Sequence, residues 1–160
     1  MGVLYRGQPI VGAVWCSASH ALEPGVYHAA AGGPLRFNGT PLDSALNPAI
    51  RRRLGGEPYA RAGAIHGWDG RKTGSAAIEC AFVAAGILEM AWFERPNIWD
   101  VAGGLALVRA AGGDVIEHRN GSWREFSGFG AVGTDPGRWS APIALGSRST
   151  LHHFSEQSPL

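Results

Sequence analysis

Asn97-Ile98-Trp99-Asp100-Val101-Ala102-Gly103-Gly104-Leu105-Ala106-Leu107-Val108-Arg109-Ala110-Ala111-Gly112-Gly113-Asp114-Val115 reads as turn, helix, glycine stop and strand. Asp100 stands directly before an apolar run, where an N-cap carboxylate can accept bonds from unpaired amides. Val101, Leu105 and Val108 recur at i, i+4 and i+7 and share one helix face. Gly112-Gly113 offers the left-handed backbone that closes a helix. Arg109 is the one charge within the body, so the helix is apolar on nearly every side and is expected to lie between layers. A buried rod of this kind holds the Asp100 carboxylate at its tip, facing a cleft.

A second rod of the same character spans residues 73–86, Thr73-Gly74-Ser75-Ala76-Ala77-Ile78-Glu79-Cys80-Ala81-Phe82-Val83-Ala84-Ala85-Gly86. Thr73 is the expected cap and Gly86 the expected stop. The small residues of its first turn leave the amides of Gly74, Ser75 and Ala76 open to an anion or an oxygen acceptor. Close helix–sheet packing asks for the same small residues, so both readings stand on the pattern.

The flanks are β. Val3-Leu4-Tyr5, Pro9 to Cys16 and Val26 to Ala30 are short strands separated by turn signals. Leu35-Arg36-Phe37 enters an Asn38-Gly39 hairpin, which completes an antiparallel meander. Downstream, Ile87 to Phe93, Asp114 to His118, Ser122 to Phe126 across Asn120-Gly121, Ala131 to Gly133 and Pro142 to Leu145 are predicted strands. Between the two sets the reading is thin. Asn47-Pro48 opens a short helix through Arg51-Arg52-Arg53-Leu54 to Gly55-Gly56, and Ala62 to Ile65 forms a strand. His66, Trp68 and Asp69 sit in a glycine-rich loop without metal-ligand spacing. Ser149 or Thr150 caps a last helical turn. His152-His153 are adjacent and so cannot face one site on a helix, and a loose tail begins at Ser155. The fold class that follows is α/β: a partial antiparallel sheet, then a mixed sheet packed by two buried helices.

Bulk properties narrow the function. Fourteen basic and 13 acidic residues nearly cancel, which gives no electrostatic case for nucleic acid or an anionic membrane. No apolar run approaches the roughly 20 residues of a membrane helix. Cys16 and Cys80 are too few for a disulfide framework and read as small buried residues of a cytoplasmic protein.

Trp99-Asp100-Val101-Ala102-Gly103-Gly104 followed by Ala111-Gly112-Gly113 closely resembles the C-terminal signature of the inositol monophosphatase family, which comprises magnesium-dependent, lithium-sensitive phosphatases. Arg71 through Ala77 is similar to that family's Arg-x-x-Gly-Ser/Thr-Ala-Ala turn, and residues 3–40 are similar to its middle strand and hairpin. The resemblance implies the layered α-β-α fold of these phosphatases. It implies that Asp100 is a Mg2+ ligand and that the amides of Gly74, Ser75 and Ala76 hold substrate. The family's substrate glutamate lies seven residues before the metal aspartate. That position is Phe93 here, with Glu94 one residue later, and a one-residue shift on a strand reverses the face a side chain occupies. Glu94 is the candidate for that role. Glu89 stands where the family carries an aspartate.

The family's upstream acidic motifs, Glu-Glu after glycine and Asp-Pro-x-Asp-Gly, are absent from the 13 acidic residues. The resemblance therefore runs over the second half of the family's domain. It implies residues 1–45 as a remnant of the N-terminal antiparallel sheet, 46–154 as the C-terminal α/β half and 155–160 as a tail. The expected activity is hydrolysis of a small phosphate monoester: an inositol phosphate, a sugar phosphate or a 3′-phosphoadenosine compound. The expected partner is a second copy or a complementing N-terminal half. A non-catalytic interaction module is the alternative.

Overall fold

The computed structural model describes residues 1–43, 53–56, 67–130 and 135–157. The first 41 residues fold as the expected meander. Strands β1 (Gly2–Tyr5), β2 (Gln8–Cys16), β3 (Gly25–Ala30), β4 (Arg36–Phe37) and β5 (Thr40–Pro41) pair antiparallel in sequence order. Asn38 and Gly39 both take positive φ, at +48° and +87°, as the tight β4–β5 turn requires.

The second sheet is mixed. It contains β6 (Leu54–Gly56), β7 (Asp69–Arg71), β8 (Met90–Phe93), β9 (Asp114–Arg119), β10 (Ser122–Glu125) and β11 (Ile143–Gly146), in the spatial order β10-β9-β11-β8-β6-β7. β8 runs parallel to β6, and helix α1 (Ala76–Ala84) makes the crossover between them. Helix α2 (Ile98–Ala110) follows β8, and α3 (Arg148–Gln157) follows β11.

α1 and α2 form one layer between the sheets. α2 rests on β1, β2 and β3 on one side and on β9 and β11 on the other. Their shared core holds Tyr27, Leu35, Phe93, Leu105, Leu107, Ile143 and Leu145. α3 covers the opposite face of the second sheet with Leu151 and Phe154 against Met90, Trp92 and Ala144. The order through the molecule is thus sheet, helices, sheet, helix. The α-β-α arrangement and the two buried helices are as expected.

Several local expectations are corrected. α2 starts at Ile98 with Asn97 as N-cap, so Asp100 lies in the first turn rather than at the cap. Ser75, not Thr73, caps α1. Leu54-Gly55-Gly56 is a strand rather than the end of a helix, and Asp69 belongs to β7 rather than a loop. Only Met90–Phe93 of the 87–93 stretch is strand, because a glycine turn at Gly86 and the following residues consume its start. Ser147 takes the capping position assigned to Ser149 or Thr150, and its Oγ accepts the Thr150 amide at 3.2 Å. α3 extends through Ser155 to Gln157, where a tail was expected. The arginine-rich segment 51–52, the 62–65 strand, His66 and the 131–133 strand lie outside the described residues.

Glycine fixes how closely the layers approach. A Cβ on Gly104 would collide with Cβ of Cys80 on α1, and one on Gly12 would collide with the Gly103 carbonyl. A Cβ on Gly103 would strike the carbonyl of Met1. α2 is thereby held against α1 on one side and against β1 and β2 on the other.

Candidate active site

α1 and α2 run parallel. Their C-terminal ends, Val83 and Ala84 of one and Val108 and Ala111 of the other, line a single cavity of about 120 Å³. Their N-terminal tips therefore share the opposite end of the layer. They touch midway at Cys80 and Gly104. Ala76 precedes Cys80 by four residues and Asp100 precedes Gly104 by four, so each lies about 6 Å beyond the crossing at 1.5 Å per residue. Asp100 and the opening turn of α1 stand at one height on one end of the molecule.

Each tip is built differently. Asp100 is half-buried, and its Oδ2 accepts the Asn97 amide at 3.3 Å and the Asn97 side-chain nitrogen at 3.0 Å. This is the reciprocal half of a capping box. Oδ1 takes part in neither bond. Trp99 beside it is 72% exposed.

At the other tip, Gly74 has φ +78° with open space where a Cβ would sit. The Ser75 hydroxyl accepts the Ile78 amide at 3.4 Å, and the Ser75 amide donates to Thr73 Oγ1 at 3.3 Å. Of the three amides expected to face a ligand, Ser75 is thus already engaged. Those of Gly74 and Ala76 have no acceptor among the described residues.

Sequence reasoning missed the residue that shapes this turn. Glu79 is fully buried, and its Oε1 accepts the Thr73 amide at 3.0 Å and the Thr73 hydroxyl at 3.1 Å. Charge-assisted bonds of this kind are strong in a low-dielectric interior, so the 73–75 turn is rigid. A Cβ on Gly56 would come within 2.8 Å of Glu79 Oε2, which explains the glycine on that strand. A lone carboxylate in an apolar helix was the available signal.

Glu94 is exposed just past the end of β8, while Phe93 is buried in the core. The one-residue shift thus keeps Phe93 inside and leaves Glu94 free to aim from the turn. Glu89 has a structural place: Oε2 accepts the Arg53 amide at 2.8 Å and Oε1 accepts the Thr150 hydroxyl at 3.4 Å. It ties β6 to the start of α3, at the end of the layer where the helices finish.

The described residues do not by themselves complete a magnesium site. Magnesium takes near-octahedral oxygen ligation and uses one or two carboxylates with substrate phosphate. Among the described residues no group of three or more His, Cys, Asp and Glu side chains converges. Asp100 offers a single carboxylate to such an ion.

The loop from Ser17 to Pro24 rises over the same end. β2 runs antiparallel to α2, with Gln8 bound to Arg109 at 2.8 Å and Gly12 against Gly103. Cys16 lies about 13 Å past Gly12 along the strand. Asp100 lies about 4.5 Å past Gly103 along the helix.

Comparison with known proteins agrees with this architecture. The inositol monophosphatase family model matches residues 1–145. A probable inositol 1-monophosphatase of Mycobacterium tuberculosis, ImpA, is 33% identical over 140 residues, 77% of this chain and 50% of that protein. The crystal structure of inositol monophosphatase-II from Staphylococcus aureus superposes with a TM-score of 0.70 at 25% identity, covering 99% of this chain and 59% of that one. A structure of SaIMPase-II with inositol monophosphate bound gives a TM-score of 0.69. The chain spans about half the length of the curated relatives it matches.

Proposed function

From the premise that this chain belongs to the inositol monophosphatase family, we propose that it is the substrate-facing half of a magnesium-dependent phosphomonoesterase. The observation that carries this reading is the common height of Asp100 and the Gly74–Ala76 turn at one end of the α1–α2 layer. In it Asp100 contributes one Mg2+ ligand. The Gly74 and Ala76 amides, with the Ser75 turn between them, orient the substrate, and Glu94 reaches its hydroxyls. The substrate is a small phosphate monoester: inositol monophosphate first, a sugar phosphate or 3′-phosphoadenosine compound next. The remaining acidic ligands come from a complementing segment. The carbonyl of Met1 lies against Gly103, one helical turn from Asp100, so a segment adjoining β1 would reach the carboxylate. Residues 1–45 then belong to the sheet that the complementing segment completes, and residues 46–154 to the α/β half.

When bound, the metal would activate water and neutralise phosphoryl charge. The chain's own contribution is to hold one carboxylate and a rigid amide turn at a fixed separation. The test is co-expression with a polypeptide carrying the two absent acidic motifs. Magnesium-dependent phosphate release from inositol monophosphate is expected, falling at least about 100-fold in Asp100→Asn. Release that Asp100→Asn leaves unchanged overturns the metal role.

A second reading, an interaction module without catalysis, is favoured by one observation. The outer face of the first sheet carries Val3, Tyr5 and Trp15 at 43%, 58% and 63% exposure. Exposed apolar side chains on one sheet face fit a surface that meets another chain, either a second copy or the complementing half. Sedimentation of the isolated chain as a monomer at 100 µM-scale loading, together with no phosphatase on complementation, would favour neither partner role and remove both readings.

A further inference from the structure

The turn that opens α1 is held by a carboxylate that the helix itself does not require. Ser75 already caps α1, its hydroxyl accepting the Ile78 amide at 3.4 Å. Glu79 lies one turn further in, fully buried beside Cys80 and Ala81, where a carboxylate costs free energy that an apolar side chain would not. Its Oε1 reaches out of the core to Thr73, an exposed residue, and accepts the amide at 3.0 Å and the hydroxyl at 3.1 Å. Water would satisfy both groups of an exposed threonine, so what the carboxylate adds is order. The Thr73 hydroxyl has one proton, which also lies within reach of the Ser75 carbonyl at 3.2 Å. The carboxylate is the stronger acceptor and takes it, which leaves the hydroxyl oxygen to accept the Ser75 amide at 3.3 Å. The Ser75 carbonyl in turn accepts the Glu79 amide at 3.0 Å. Gly74, at φ +78°, is thus bracketed by two residues that Glu79 holds.

We infer that Glu79 and Thr73 are positioning residues of the candidate site, which together withdraw the Ser75 amide from use and fix the Gly74 and Ala76 amides as the pair that meets substrate. The inference rests on the reading of that turn as substrate-facing. Neither side chain touches the ligand. Glu79 acts through its reach, because a carboxylate charge beneath a helix N-terminus opposes an anionic ligand rather than assisting it. Thr73 acts through its hydroxyl oxygen, whose removal returns a third free amide to the turn.

The experiment is an amide NMR titration of the isotope-labelled full chain by inositol monophosphate with Mg2+, reading Gly74, Ser75 and Ala76. In the unaltered chain Gly74 and Ala76 shift and Ser75 stays still. Thr73→Val, a substitution of nearly equal volume at an exposed position, brings Ser75 into the response. Glu79→Asp keeps the charge but falls one methylene short. It is expected to lose the exchange protection of the Thr73 amide and to weaken the ligand about 10-fold. Glu79→Gln keeps the length and an acceptor without the charge, and recovers affinity to within about 2-fold. Should Glu79→Asp fail to fold, Thr73→Val decides the matter, since it leaves the core untouched. A silent Ser75 in Thr73→Val, or equal losses in Glu79→Asp and Glu79→Gln, overturns the positioning role while the turn stands as a site. No response at Gly74 and Ala76 in the unaltered chain overturns the substrate-facing turn and this inference with it.

Discussion

The two sheets have been finished to different degrees. The mixed sheet is covered on both faces, by α1 and α2 on one and by Leu151 and Phe154 of α3 on the other. The antiparallel sheet is covered on one face, by α2 and part of α1, and its far face presents Val3, Tyr5 and Trp15 to solvent. A globular surface normally shows some apolar area, and here Val3, Tyr5 and Trp15 are spread along one sheet face. The complete sheet carries the stability of the chain. The less covered one holds the exposed apolar side chains on which the proposed partner contact rests.

Four measurements break or sharpen that contrast. The largest effect belongs to the layer both sheets share. Gly104→Leu drives a side chain into Cys80 and is expected to cost more than about 3 kcal/mol, enough to abolish the cooperative transition seen by circular dichroism. Next is a matched pair of aromatic truncations. Phe154→Ala uncovers the finished sheet and should cost about 3–5 kcal/mol in urea denaturation. Trp15→Ala on the unfinished face should stay within about 0.5 kcal/mol and should reduce self-association in sedimentation. Equal costs for the pair would erase the distinction between the sheets.

Smaller is Asp100→Asn in the uncomplemented chain. It weakens the reciprocal bond to Asn97 and is expected to cost about 0.5–1 kcal/mol, far below its effect on phosphate release. The smallest effect is set by pH. Burial pushes the Cys16 thiol up to about 11 from an ordinary 9, and pushes Cys80 up as well. A group with a raised folded value stabilises fully below its unfolded value. That contribution is lost as pH rises from about 9 through about 11. Native alkylation at pH 8 should therefore leave both thiols intact, and stability should begin to fall only above pH 9.

Periodicity and turn chemistry were enough for the parts governed by local rules. The meander, the Asn38-Gly39 and Asn120-Gly121 hairpins and the glycine stops at Gly86 and Gly112 follow from φ preferences that only a few residues satisfy. The α1–α2 layer followed from helices with no polar face. The caps slipped because Asn97 and Ser75 are as competent as the neighbours chosen, and the choice between them is made by the entry angle of the chain. β6 and β7 were illegible for another reason. Leu54-Gly55-Gly56 and Asp69-Gly70-Arg71 have almost no strand propensity, and parallel pairing with β8 and with each other makes them strands. At the site, Asp100 and Gly74 were visible as motif residues. Glu79 was not, because its role comes from a contact with Thr73 that no spacing rule encodes.

Among the described residues no strand is common to the two sheets: the first is composed of residues 2–41 and the second of residues 54–146. The meander is thus a separate piece of sheet, joined to the remainder by packing onto α2 and α1 and by bonds from Gly7 and Gln8 to the 127–129 segment. A polypeptide cut between residues 43 and 53 keeps every ladder intact, so the two fragments, mixed in solution, have what they need to recombine.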